Sequence, residues 1–231
     1  MSCAEEIIRN VQKEGRKYLM EHEAKAICAQ YGINVTKIKV AENLEQTLKY
    51  SKDIGYPVVL KIVSPDIIHK SDVGGVIVNI KNEKEAEIAY HKILENVRKH
   101  NPNAKIVGIL VQEMAPPGLE VIVGAVKDPQ FGHTIMFGLG GIFVEILKDV
   151  TFRIVPITIE DSKEMIREIK GYPLLKGYRG QPPVDEQAII DTIMKTSKLL
   201  TELPQISQLD LNPIFAYEKG VKVVDARIIL E

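Results

Sequence analysis

Lys61 is a single charge inside the apolar run VVLKIV (58–63). A lone buried ammonium is costly, so it needs a partner or an anionic ligand. Lys61 is therefore half of a buried ion pair, an edge-strand lysine, or a grip for phosphate. The next segment, PDIIHKSDVGG (65–75), holds His69, Lys70, Ser71, Asp72, Gly74 and Gly75. Paired glycines let backbone N–H groups approach an anion closely, though they serve a plain tight turn equally well. His69 can exchange a proton, ligate a metal or accept a phosphoryl group, or simply be solvated. No His or Cys cluster nearby supports the metal option. The loop is not a Walker A motif, because GxxxxGK[ST] is absent and no helix is expected after it; GLGG (138–141) is not GxGxxG.

Gln112, Glu113 and Met114 end the apolar run ILVQEM (109–114). Extended backbone there can pair with a planar base edge, and Glu120, past Pro116-Pro117-Gly118, can accept ribose hydroxyls. Ordinary strand-end polar residues are the alternative. Near the C-terminus, Asp210-Leu211-Asn212-Pro213 and Val224-Asp225-Ala226-Arg227 flank one turn. A turn centred near Lys219 sets Asn212 nearly opposite Asp225. An Asn carbonyl beside an Asp carboxylate suits Mg²⁺, a hard cation that takes one or two protein oxygens plus nucleotide phosphates. Asp210 lies two residues from Asn212 and so on the same strand face, where it can orient a histidine. A polar hairpin rim would look the same. Glu145 and Arg153 are charges in apolar strands: Arg153 either stabilises a transferred phosphoryl group or pairs structurally with a glutamate.

Hydrophobic periodicity supplies the elements that must position these groups. Helices are expected at 4–14, 20–31, 44–54, 84–100, 160–170 and 185–202. Asn43 caps the third, with Gln46 at the capping-box position. Strands are expected at 34–41, 57–64, 76–81, 106–114, 119–128, 133–139, within 142–157, and at 206–216 and 221–230; residues 171–185 read as loop. This gives a first α/β lobe over 1–110 and a second, mainly antiparallel one over 111–231.

Bulk properties exclude some partners. Lys+Arg (30) nearly balances Asp+Glu (31), so no net field points to nucleic acid or an anionic membrane, and any anion site is local. Cys3 and Cys28 form no CxxC pair or secreted-type framework. MSCAEEIIRN has neither the basic nor the apolar region of a signal peptide, and no run is long enough to span a membrane. A cytoplasmic protein is expected.

Together these stretches resemble the ATP-grasp family, and within it the β subunit of ADP-forming acetyl-CoA (acyl-CoA) synthetase, of the succinyl-CoA synthetase superfamily. The resemblance runs over nearly the whole chain: EHEAKAICAQYGI (21–33), GYPVVLKIVSPDIIHKSDVGGV (55–76), VQEMAPPGLEVIVG (111–124), KDPQFG (127–132), MFGLGGIFVEILKDVTFRIVPI (136–157), QLDLNPI (208–214) and VVDARI (223–228). It implies an α/β (α+β) two-lobed ATP-grasp fold with the nucleotide between two subdomains. It implies that Lys61, with the loop bearing Gly74 and Gly75, meets ATP or ADP phosphates. Gln112, Glu113 and Met114 would line adenine and Glu120 would hold ribose. Asn212 and Asp225 would ligate Mg²⁺. Asp210 stands where succinyl-CoA synthetase has a glutamate beside its phosphohistidine. His69 has no counterpart in simple carboxylate-activating relatives, and a transient phosphohistidine at this position would relay phosphate. The resemblance further implies a CoA-binding α subunit with its own phosphorylatable histidine, in an α2β2 heterotetramer.

Two rivals remain at this level. An ATP-grasp carboxylate ligase that forms an acyl phosphate directly would not need His69. A non-catalytic nucleotide-sensing module would bind ATP without transferring phosphate.

Overall fold

A computed structural model describes residues 2–67, 69–141 and 148–231. The chain divides into two compact units, one formed by Met1–Val35 with Pro117–Glu231 and the other by Thr36–Pro116.

The Thr36–Pro116 unit begins with β1 (Ile38–Ala41), α3 (Leu44–Ile54), β2 (Val58–Val63) and β3 (Val76–Ile80), and ends with α4 (Glu83–His100) and β4 (Gly108–Glu113). The strands form one antiparallel sheet in the order β1-β4-β2-β3. Asn43 caps α3 through the Gln46 N–H, and the Gln46 side chain reaches back to Glu42 N–H rather than to the cap itself. Gly55, at φ +95°, ends the helix. Along β2, Val58, Leu60 and Ile62 pack with Ala86, Ile93 and Val97 of α4 in one core. Alternation therefore turns Lys61 to the other sheet face.

The larger unit opens with α1 (Cys3–Lys13) and α2 (Glu21–Gln30). It resumes with β5 (Leu119–Asp128), β6 (Gly132–Leu139), β7 (Val150–Ile154), α5 (Ile159–Glu168), α6 (Tyr172–Leu175) and α7 (Glu186–Glu202). It closes with β8 (Ile206–Ala216), β9 (Val221–Val223) and β10 (Ala226–Leu230). The sheet runs β10-β8-β5-β6-β7, antiparallel throughout, with β9 also on β8. One face is covered: Val121, Val123, Ile135, Phe137, Leu209 and Leu211 share a core with residues of α1, α2, α5 and α7. The other face carries Ile122, Met136, Phe152, Asp210 and Arg227.

Four expectations need correction. A boundary at residue 110 would put the N-terminal helices with the first lobe. Instead Ala4, Ile8, Ala24 and Ile27 are buried against β5, β8 and β10, because that sheet has an apolar face to cover. The expected strand at 34–41 starts at Ile38, with Val35 making only an isolated bridge to Val223. The expected strand at 221–230 is broken at Val224 and Asp225. Within 171–185 lies the short helix α6, with Pro173 in its first turn, where a missing N–H costs nothing. Glu145, in the extended stretch expected at 142–157, lies outside the described residues.

Cys3 and Cys28 are both free thiols. Cys28 is fully buried, and desolvation pushes it up to about 12, so it is an inert core thiol.

Candidate active site

In the Thr36–Pro116 unit, Lys61 is only 6% exposed. It pairs with Leu110 across the sheet, while its neighbour Val59 pairs with Gln112. Lys61 and Gln112 thus occupy the same sheet face, away from α4. The segment after β2 folds on itself: Gly75 N–H donates to the Lys70 carbonyl at 2.7 Å and Gly74 N–H to the Ser71 carbonyl at 3.0 Å. Gly74 sits at φ +63°, and a Cβ on Gly75 would lie 2.7 Å from Ile62 Cγ2. Both glycines are therefore required by the loop's own turn. The donors expected to cradle an anion are already used, which corrects the backbone role read from the pair. His69 stands exposed on this loop.

At the end of β4, Glu113 N–H donates to the Lys37 carbonyl at 3.0 Å and Met114 N–H to the Pro57 carbonyl at 3.2 Å. The Glu113 carboxylate also accepts the Lys37 N–H at 2.9 Å. These two backbone donors, expected to meet a base edge, are engaged within the sheet margin. Gln112 is buried and Met114 half-buried.

In the larger unit, Glu120 is exposed and pairs with Phe215. Gly140 N–H donates to its carbonyl at 2.8 Å, and a Cβ on Gly140 would lie 3.0 Å from Glu120 Cβ. Gly140 of the GLGG stretch thus allows the chain to pass close against Glu120.

The last hairpin fulfils the expected juxtaposition. Ala226 pairs with Leu211, and Val223 with Ile214. Counting inward from both sides sets Asn212 opposite Asp225, with no inserted residue. Val224 N–H donates to the Pro213 carbonyl at 2.9 Å, so the adjacent pair, Asn212 and Asp225, falls at a position without ladder bonds, where side chains approach most closely. Asp210 pairs with Arg227 on one side and with Gly124 on the other. Gly124, Met136, Phe152, Asp210, Asn212 and Arg227 line a hollow of about 350 Å³ on the open sheet face.

The electrostatics of the hollow centre on Asp210. Its carboxyl is pushed up to about 6, first by desolvation and then by the negative charge of Asp225, with Arg227 opposing. Asp210 is still open to solvent at the surface, so the desolvation comes from surrounding protein rather than enclosure.

The donor set fits a hard divalent cation. Asn212 and Asp225 offer two oxygens, and nucleotide phosphates would complete the shell. Among the described residues no group of three His, Cys, Asp or Glu could hold a metal by itself.

Arg153 does not join these groups. It pairs with Ile135, whose side chain is in the helix-covered core, so it occupies the face opposite Asp210. There it makes a two-pronged bond to Glu168, at 2.6 and 3.0 Å, and reaches Glu164 at 3.5 Å. The structural pairing is the one realised, with partners one helix onward in α5. Sequence reasoning missed Gly124 and gave Arg227 no role. Strand alternation alone puts Arg227 beside Asp210, but finding Gly124 requires the register of β5 on β8.

One unit has an antiparallel sheet with an acidic, amide-bearing hairpin, and the other has an antiparallel sheet with a buried strand lysine; the chain belongs to the ATP-grasp family, whose ATP-grasp domain model matches residues 10–230. It groups there with the β subunits of ADP-forming acetate–CoA ligases. Subunit beta of acetate–CoA ligase [ADP-forming] I from Pyrococcus furiosus is 57% identical, over 98% of this chain and 97% of that one. An acetyl-coenzyme A synthetase 1 from Ca. Korarchaeum cryptofilum, solved with coenzyme A, Ca-AMPCP and HgCl+, superposes with a TM-score of 0.97. It is 53% identical, covering 99% of this chain and 100% of that one. The same Korarchaeum protein solved with coenzyme A and Mg-AMPPCP has its phosphohistidine segment pointing towards the nucleotide binding site. That structure gives a TM-score of 0.88 at 50% identity, over 99% and 100% of the two chains.

Proposed function

We propose that this chain is the nucleotide-exchanging subunit of an ADP-forming acyl-CoA synthetase and passes phosphate between a phosphohistidine and ADP or ATP. The net reaction is acyl-CoA + ADP + phosphate ⇌ carboxylate + CoA + ATP. The observation that carries this reading is the hairpin register that opposes Asn212 and Asp225, with Asp210 two residues away on the same face.

In this assignment Lys61 contacts the nucleotide phosphates, and Gly74 and Gly75 shape the loop that presents His69. Gln112, Glu113 and Met114 border the adenine, and Glu120 accepts the ribose hydroxyls. Asn212 and Asp225 hold Mg²⁺, which when bound neutralises phosphate charge. In the transfer the P–N bond of a phosphohistidine breaks as a β-phosphate oxygen of ADP forms the new P–O bond. The imidazole nitrogen keeps the electron pair. Asp210, as carboxylate, accepts the N–H of the other ring nitrogen and fixes the ring.

His69 acts as an intermediate phosphate carrier, which shortens the distance a partner's histidine must travel. Relatives named as β subunits, 57% and 53% identical over nearly the whole of both chains, support giving the acyl and CoA chemistry to a CoA-binding α subunit with its own phosphorylatable histidine, in an α2β2 assembly. Two free thiols suit a reducing cytoplasm. No described helix is long and apolar enough to cross a membrane.

The test is labelling with γ-phosphate-labelled ATP and Mg²⁺, comparing wild type with His69→Asn, alone and with the partner subunit. An acid-labile, base-stable label that disappears in His69→Asn is expected. A label that survives the substitution moves the acceptor elsewhere. Nucleotide binding with no label in either setting favours a direct ligase or a sensor.

A further inference from the structure

Among the described residues, no backbone N–H of its own sheet donates to the Val224 carbonyl. Val224 stands across from Pro213 and donates its N–H to the Pro213 carbonyl at 2.9 Å. A bonded antiparallel pair normally exchanges two such bonds, and the return bond needs an N–H that proline lacks. Lys25 of α2 fills the gap, with Nζ 2.7 Å from the Val224 carbonyl.

Lys25 is 1% exposed, and its ammonium is also 2.8 Å from Glu21, one helical turn earlier. Burying such a pair is costly, and an apolar pair of similar volume would fill the space at least as well. Packing alone gives no reason for the charge; a backbone oxygen without a partner does. The residue after Val224 is Asp225, whose carboxylate also accepts the Ala226 N–H at 2.9 Å. Strand pairing lapses at these two residues while the register on either side is kept. The peptide that carries Asp225 is thus held by a side chain from a helix nearly two hundred residues away in sequence.

We propose that Lys25 is a positioning residue for the divalent-cation site. By holding the Val224 carbonyl it fixes the Val224–Asp225 peptide and so sets the Asp225 carboxylate against Asn212. The proposal rests on reading Asn212 and Asp225 as metal ligands.

The test titrates Mn²⁺ into the full chain with saturating ADP, followed by electron paramagnetic resonance, with a thermal melt of each variant. The Glu21→Gln/Lys25→Met double variant removes both charges, keeps the volume and leaves Val224 without its donor. Asn34→Ala is the control: Asn34 Nδ2 bonds the Val221 carbonyl at 2.7 Å, tying the same N-terminal segment to the same hairpin away from Asp225. The double variant is expected to lose about tenfold or more in Mn²⁺ affinity, as when a metal ligand loses its support. Asn34→Ala is expected to melt earlier with affinity unchanged. Wild-type affinity in the double variant, or an equal loss in Asn34→Ala, overturns the role of Lys25. Should the methionine variant not fold, Glu21→Gln/Lys25→Gln, whose shorter amide falls short of the carbonyl, reads the same quantity. Asp225→Asn separates the two layers. If it binds Mn²⁺ like wild type, the metal reading itself fails and the proposal goes with it.

Discussion

Asp210 lies on β8 and Asp225 in the break between β9 and β10, the two strands that pair with it, and the negative charge of Asp225, after desolvation, holds the Asp210 carboxyl up at about 6. Ionising Asp210 is therefore harder in the folded chain than in the unfolded one. The stability this group contributes is fully present below its ordinary value of 3.8 and is lost as pH rises through 6. Asp210→Asn should raise Tm at pH 7 to 8, with the gap closing below pH 4. In the metal-free chain, the Asp210 carboxyl followed by NMR should titrate near pH 6, and its midpoint should move down in Asp225→Asn, where the repelling charge is gone. A midpoint that Asp225→Asn leaves in place would show that Asp225 does not act on Asp210.

Gly75 has no space for a side chain, since a Cβ would meet Ile62 Cγ2 at 2.7 Å and the Lys70 carbonyl at 2.9 Å. Gly75→Ala must displace the loop that carries His69. A stability loss of about 1–3 kcal/mol in denaturant melts is expected from such crowding. Phosphohistidine labelling should fall further than the folded fraction does. Normal labelling in a destabilised Gly75→Ala chain would show that the loop's shape is not needed for transfer.

Arg153 faces α5 and is bound by Glu168 and Glu164. This partly exposed cluster is worth about 0.2–1 kcal/mol. Arg153→Ala should show a loss of that order in urea melts and leave nucleotide binding and labelling intact. Loss of labelling in a well-folded Arg153→Ala chain would return this residue to the chemistry.

Asp185 ties two elements together: it caps α7 through Ala188 N–H at 3.0 Å and accepts Gly220 N–H at 2.8 Å from the β8–β9 turn. Those backbone bonds, Gly220 first, hold its carboxyl below the usual range. Its contribution is present above the ordinary 3.8 and is lost as pH falls through the lowered folded value. Asp185→Ala should cost about 0.5–2 kcal/mol at neutral pH, the usual worth of a helix cap. The difference from wild type should shrink in acid; a difference that stays constant down to pH 2 would rule out ionic capping.

Much of this protein was legible from local sequence. Alternation and caps located the strands around Lys61 and the helix behind Asn43, because side-chain period and backbone capping are short-range properties. The turn at Glu218-Lys219-Gly220 was enough to set Asn212 against Asp225, since a hairpin's register follows from its turn. Tertiary structure alone decided the rest. The N-terminal helices join the distant C-terminal sheet because its apolar face needs covering, which no window of sequence displays. Arg153 went to the helix side and Asp210 to the open side because the pleat assigns faces only once strand partners are known. Pro213 withholds an N–H in any fold, but only the folded chain brings Lys25 to the carbonyl left without it.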